Sequence, residues 1–480
     1  VADIGNLVVS VKLMPLFQQQ VEIDRLDFNK LKLNTADFIH EARIKGTMGR
    51  LSVKSHGIDW GKEFINVDDA ILKDANIKVE LSDTVPPDTS KTPNYWKIKV
   101  DRLNIKNTFA DIHMPGDTLS VKAFVGNAMA VEGYFDLFKN LYELRHFTLD
   151  AKKISYDNNF KSNVRGIIDP NHVSLNDVAV AVDSLNFMAP NLTALVRSCK
   201  FKEKNGIEIA NIAGKIEMDS LQLRLPQIKI QTPSSWLRAR LFMDLSAFRD
   251  SCPGNMHFVA DASFAKRDIM MFLSDMPKSF RNWYPNKPLT VNTVVDGNMH
   301  HVRFRLLNIV LPSVAKINAS GYVSGFTKMK RMTANANFKA TAYSSDFVTA
   351  LIGKNAIGGV RIPKGISLAG NIKTNGNEVF FADLLLKEGK GQVKAKARFN
   401  MPAMAYNANI TANNLQIQHF MPILGVKDFS GNLSVSGKGF NPMSKGVAID
   451  VSAKIQKLLY DKYRISGLSA DATLSNGMLH

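Results

Sequence analysis

Alternation of apolar and polar side chains recurs along most of this chain, and no other feature limits its fold so tightly. Successive side chains of an extended strand point to opposite faces, so a period of two marks strands with one apolar and one wet face. Val393, Ala395, Ala397 and Phe399 alternate with Lys394, Lys396 and Arg398. Ile98 and Val100, then Leu103 and Ile105, do the same among Lys99, Arg102, Asn104 and Lys106, with one slip of phase. Residues 332–340, 449–455 and 468–474 repeat the pattern. The pairs Asn205-Gly206, Asp296-Gly297, Asn375-Gly376 and Asn476-Gly477 are hairpin dipeptides. These signals predict an all-β chain built from an antiparallel-rich sheet.

Two segments interrupt the pattern. Residues 82–93 hold three prolines among Asp, Ser and Thr, which predicts an exposed loop. Residues 276–288 hold three more around Trp283 and Tyr284, which predicts a bend whose aromatic pair either anchors a packed loop, the commoner case, or sits at a membrane or lipid interface. The expected organisation is a β section over 1–81, a loop over 82–95, a β-repeat section over 96–275, a bend over 276–288 and a second β-repeat section over 289–480. Short helical patches recur inside these sections. Leu192, Leu195 and Val196 have the i, i+3, i+4 spacing of one helix face, as do Ile269, Phe272 and Leu273. Val348, Leu351 and Ile352 follow, then Phe420, Ile423 and Leu424. They fall about 75 residues apart, each with a large apolar residue five positions earlier: Phe187, Phe264, Tyr343 and Leu415. The repeating unit is then several strands plus one short amphipathic helix. Such units expose apolar edges until a neighbour stacks on them, which predicts an elongated, continuous sheet.

Composition narrows the chemistry. The 480 residues carry a net charge of +18, which disfavours cationic substrates and admits nucleic acid or anionic lipid head groups. The basic residues alternate with apolar ones, as on the wet face of a sheet. The aromatics fall mostly on the opposite face, against the interleaving that single-stranded nucleic acid requires. Two cysteines, Cys199 and Cys252, exclude a disulfide scaffold, a four-cysteine zinc site and an iron–sulfur cluster, and allow one bridge in an oxidising compartment. Nucleophile-elbow, phosphate-loop, dinucleotide and HExxH signatures are all missing. His300 and His301 point opposite ways if they lie on a strand, and Asp68 with Asp69 reads as a solvated turn. The reading is a non-enzyme without cofactor or metal. No apolar run reaches the ~18 residues of a membrane-spanning helix. The chain opens at Val1 and a strand-like stretch runs to His480, so we expect an internal fragment whose anchor lies upstream.

The apolar face is rich in small residues, among them Ala334, Ala336, Ala340, Ala395, Ala397, Ala408, Ala412, Ala453 and Ala470. Alanine is depleted in ordinary strands. A row of it lets a second sheet approach closely, or leaves room along a groove for something apolar that is not protein. On physics alone the two are balanced.

A family resemblance separates them. The opening VVSVKLMPLF at residues 8–17, VEIDRLDF at 21–28 and KLKL at 30–33 resembles the AsmA-like superfamily just after its membrane anchor. The stretch IQTPSSWLRARLFMDLSAF at 230–248, the strand–helix units and late strands such as Gly370-Asn371-Ile372 and Gly431-Asn432-Leu433 look most like its TamB branch. The anchor helix and the family's C-terminal domain have no counterpart in this sequence. The resemblance implies a curled β-sheet open along one side, apolar within, anchored in the bacterial inner membrane and crossing the periplasm. It implies phospholipid transport between the membranes, with an outer-membrane barrel partner of the TamA type. The expected groove lining, taken from alternation, is Ala336, Phe338, Ala397, Phe399, Ala408, Ile410, Val435, Ile449 and Val451. The alternative expectation is a structural or chaperone module that binds unfolded strands during outer-membrane protein assembly.

Overall fold

A computed structural model describes residues 2–12, 23–35, 42–59, 61–81, 95–162, 169–272, 281–282, 284–347, 360–439, 447–475 and 478–479. The expected loop at 82–93, Trp283, the Asn476-Gly477 pair and the helical patch at 348–352 lie outside those residues. The chain divides into two compact units, Val1–Phe242 and Met243–His480, and the 276–288 segment falls inside the second.

Long strands make up the first unit. They begin with β1 (Ala2–Val11), β2 (Ile23–Asn34), β3 (Ala42–Asp59) and β4 (Phe64–Leu81). Next come β5 (Lys97–His113), β6 (Leu119–Asp136), β7 (Leu141–Asn158) and β8 (His172–Met188). The unit continues through β9 (Asn191–Glu203), β10 (Glu208–Ile209), β11 (Asn211–Met218) and β12 (Gln222–Gln231), and the unit boundary falls within β13 (Trp236–Asp244). From β1 to β9 each strand pairs with the next, antiparallel except for the parallel pair β4–β5. β9 then pairs with β10 and β11, and β11 with β12.

The phase slip read between Val100 and Leu103 has a structural cause. The β5–β6 ladder passes from Val100↔Gly133 to Arg102↔Val131, leaving Asp101 opposite Glu132 outside it, and Glu132 has φ 52°. Ser184 of β8 has φ 51° in the same line, opposite Arg145. A second line crosses the unit at Lys30, Asp74, Asn107 and Asp177, with φ between 47° and 56°. The ladders skip each of these positions. Irregular residues bend the strand that carries them, and Asp and Asn tolerate the left-handed conformation best. Aligned across neighbours, these positions form two lines that run across the strands.

The second unit is a meander of shorter strands. It runs β14 (Met256–Phe264), α1 (Lys266–Phe272), β15 (Leu289–Gly297), β16 (His301–Leu311), β17 (Ala315–Ser324) and β18 (Thr333–Ala342). β19 (Ile366–Asn375), β20 (Val379–Glu388), β21 (Gly391–Asn400) and β22 (Ala405–Gln416) follow. Then come the short helix α2 (Ile417–Phe420), β23 (Val426–Lys438), β24 (Ala448–Tyr460), β25 (Tyr463–Ile465), β26 (Leu468–Ser475) and β27 (Met478–Leu479). Every pairing is antiparallel, and β24 meets both β25 and β26. Among the described residues no pairing joins the first strand of either unit to its last, so neither sheet closes into a barrel.

Asn205-Gly206 and Asn375-Gly376 stand at hairpin turns, with Gly206 at φ 101° and Gly376 at φ 97°. Asp296-Gly297 ends β15 instead, and the turn follows it. The helical patches divide. Ile269 and Phe272 lie in α1, and Phe420, Ile423 and Leu424 lie in α2 and the 3-10 turn after it. Leu192, Leu195 and Val196 do not form a helix. They lie in β9, where Val196 pairs with Val182 on one side and Gly214 on the other. Ladder hydrogen bonds to both neighbours outweigh a three-residue helical spacing, and Leu195 turns outward at 41% exposure while Ala194 is buried.

Close strand contact fixes one glycine. A Cβ on Gly370 of β19 would stand 2.1 Å from the Asp383 carbonyl oxygen and 3.0 Å from the Leu384 Cα. Gly370→Val should therefore cost about 1–3 kcal/mol in a urea melt. Gly389→Asn should change little, since nothing lies within 4 Å of that position and its φ of 55° suits asparagine. Equal losses at both sites would contradict the register.

Candidate functional site

The second unit's register turns separate alternating strands into rows that cross them. Residues directly opposite in an antiparallel ladder share a face, with Cβ atoms about 5 Å apart. Ala336 of β18 stands between Gly321 and Ile372. Ile372 faces Ala382, which faces Ala397, which faces Ala408. The row continues through Val435 and Val451 to Ala472. In the other direction Gly321 faces Phe304, then Val295, then Phe258. From β14 to β26 no polar side chain enters it. At ~4.8 Å per strand its length is about 50 Å.

Three more rows lie beside this first one. The second carries Phe338, Gly370, Leu384, Ala395, Ile410 and Leu433. The third, beyond it, carries Ile309, Ile317, Ala340, Leu368, Leu386, Val393 and Ala412. On the other flank Phe380, Phe399, Tyr406, Gly437 and Ile449 form the fourth. All nine residues expected from alternation fall on this one face. Ala336, Ala397, Ala408, Val435 and Val451 share the first row, Phe338 and Ile410 the second, and Phe399 and Ile449 the fourth. Four rows two residues apart make an apolar band roughly 20 Å wide.

The opposite face is polar at the matching positions: Asn337, Asn371, Asp383, Lys396, Asn409, Ser434 and Ser452 stand in one row. Asn371 Nδ2 donates to Asn335 Oδ1 at 2.5 Å and Asn337 Oδ1 at 3.0 Å, and Ser434 Oγ donates to Asn409 Oδ1 at 2.9 Å. The first unit has the same division. Its row Leu26, Val53, Ala70, Leu103, Ala130, Phe147 and Val182 is apolar throughout.

Exposure decides between a packed sandwich and an open face. A residue pressed under a second sheet loses nearly all its contact with solvent. All nine expected lining residues are half-buried. Ile372, in the middle of the first row, keeps 40% of its surface, and Ile317 in the third keeps 37%. No large side chain among the described residues falls below 2%.

A buried cluster lies along one margin of the band, where helical insertions leave the strand ends. Tyr284, Leu311, Val314 and Phe347 form a buried cluster against Ile269, Met270, Leu289 and Ala315. The Tyr284 and Phe347 rings meet edge-on at 5.9 Å, and Lys266 Nζ donates to the Tyr284 carbonyl at 2.6 Å. Tyr284 thus anchors a packed loop, and burial pushes its phenol up to about 12. Beside this cluster lies an almost wholly apolar pocket of about 670 Å³, floored by the third row and overhung by Tyr284, Phe347, Ile362 and Phe420. Sequence reasoning missed these residues. Alternation in β16, β17, β19 and β20 carried a signal for the floor, but the overhang comes from three insertions far apart in the chain.

The residues weighed for chemistry do not converge. His300 Nε2 contacts the Asp250 carbonyl at 2.6 Å, while His301 Nδ1 meets Ser324 Oγ. Asp68 is paired with His56. Among the described residues no group of three or more His, Cys, Asp or Glu side chains is placed to hold a metal, and no helix is long and apolar enough to cross a membrane. Cys199 and Cys252 are free thiols. What the fold and the face define is an open, antiparallel-rich β sheet with a continuous apolar surface. Comparison with known protein families and with curated proteins finds no match.

Proposed function

We propose that the chain is a segment of a lipid conduit that carries phospholipids along its apolar face between the inner and outer membranes of a bacterial envelope. The observation that supports this most is the unbroken first row, apolar from Phe258 to Ala472 yet half-exposed at Ile372. Two acyl chains of about 15 carbons cost over ~20 kcal/mol in water, at ~0.8 kcal/mol per methylene. A continuous apolar band removes most of that cost, with the head group left in solvent. The side chains move lipid by shielding it, and none acts as a catalyst or holds a cofactor. The likeness of the opening stretch and the 230–248 stretch to the AsmA-like superfamily supports the same reading. With it come a periplasmic location, an inner-membrane anchor outside this sequence and an outer-membrane barrel partner of the TamA type.

A photo-crosslinker scan tests the reading. Probes at Ala336 and Val451 should capture phospholipid, and one at Lys396, on the wet face, should not. Equal capture at all three positions would mean adsorption to the surface and would sink the groove. A second reading, strand capture during outer-membrane protein assembly, is favoured by β1. Ile4, Leu7, Val8, Val9 and Val11 of that strand are all exposed. Under it, β1 probes would trap unfolded polypeptide and the Ala336 and Val451 probes would trap no lipid.

A further inference from the structure

We propose that the pocket beneath the helical margin of the second unit is a holding site for a lipid acyl chain, with Arg361 receiving the lipid's anionic group. The inference rests on the conduit reading and deepens it. Elsewhere the apolar band is open. Here residues from three insertions, Tyr284, Phe347 and Phe420, line the cavity together with the third row, so a chain lying there meets side chains beyond those of the sheet. The volume bounds the occupant. A methylene takes about the room of a water molecule, ~30 Å³, so one sixteen-carbon chain needs roughly 480 Å³. The pocket holds about 670 Å³ and is open to solvent, which gives room for at least one such chain.

Charge selects the end of the chain. Arg361 is the one charged side chain among the described residues lining the pocket, and it is exposed at the rim. Its guanidinium has no ion-pair partner among the described residues. Its backbone N–H donates to the Phe420 carbonyl at 2.7 Å, and Gly365 N–H donates to the Ala342 carbonyl at 2.8 Å. These bonds tie the segment carrying Arg361 to α2 on one side and to the end of β18 on the other. The backbone at Arg361 is thus held at the edge of an apolar cavity with its cationic side chain exposed, an arrangement that an apolar chain carrying an anionic oxygen satisfies. A fatty acid supplies that oxygen as a carboxylate, and a phospholipid supplies it as a phosphate.

The test uses a photo-crosslinker at Ile362, a second at Val451, and three probes: palmitate, phosphatidylglycerol vesicles and uncharged methyl palmitate. The expected result is that Ile362 captures an anionic probe in preference to the ester. Arg361→Gln should weaken that capture about three- to fivefold, the size of an exposed ion pair, and Arg361→Lys should restore most of it. Both variants alter an exposed side chain, so the melting temperature should hold. Capture of palmitate alone supports the site with a carboxylate as the anion, and capture of phosphatidylglycerol alone supports it with a phosphate. Equal capture of the ester, or no response to Arg361→Gln, overturns the assignment. Labelling at Val451 without labelling at Ile362 overturns the pocket and leaves the conduit standing. No labelling at either position overturns both.

Discussion

Ala408→Asp is expected to leave the protein folded and to reduce lipid transfer at least tenfold. Ala408 lies in the first apolar row between Ala397 and Val435, half-buried. Under a second sheet an aspartate there would be an unpaired buried charge, costing several kcal/mol and unfolding the segment. On an open band the carboxylate reaches water, and the melting temperature should fall by only a few degrees. A lipid chain crossing that point meets a hydrated charge that it cannot solvate. The control is Asn409→Asp on the polar face of the same strand, opposite Lys396 and Ser434, which should spare both fold and transfer. Unfolding of Ala408→Asp would support a closed sandwich. A stable variant with normal transfer would remove the row from the path.

The margin cluster should behave in the opposite way. Tyr284→Ala empties the buried site shared with Leu311, Val314 and Phe347 and should cost about 3–5 kcal/mol in denaturant unfolding. Tyr284→Phe keeps the ring and its edge-on contact with Phe347, so its loss should stay near or below ~1 kcal/mol. The phenol adds a pH signature. Its folded pKa is raised to about 12 by burial, while an unfolded tyrosine ionises near ~10. Folding therefore disfavours the ionised form. The stability held below pH ~10 falls as the pH rises from there toward about 12. Tyr284→Phe should lose less stability than the wild type over that interval, and parallel curves would contradict the burial of this hydroxyl.

Alternation made much of this architecture legible, and its failures have physical causes. It identified the all-β class and assigned the nine expected lining residues to one face, because side-chain direction in a strand is local. It could not reveal that Ala397, Ala408, Val435 and Val451 form a single row. Register is set by turns and by pairing with a neighbouring strand, neither of which a single strand's pattern contains. The slip between Val100 and Leu103 was visible, but its alignment with Glu132 and Ser184 required three strands to be seen together. The helical spacing of Leu192, Leu195 and Val196 misled because strand and helix compete for the same short apolar run, and two neighbouring strands decided it. The pocket was hidden for another reason. Tyr284, Phe347 and Phe420 meet only after the strands between them have paired.

If the apolar band carries lipid, the protein itself should hold it, and the lipid bound to purified protein can be measured directly. Protein purified without detergent after incubation with phospholipid vesicles should yield phospholipid on solvent extraction, at a fixed ratio to protein by mass spectrometry. Ala408→Asp should lower that ratio, and Asn409→Asp should leave it unchanged. Folded wild-type protein that returns from the vesicles with no phospholipid, or variants that all carry the same amount, would contradict the claim.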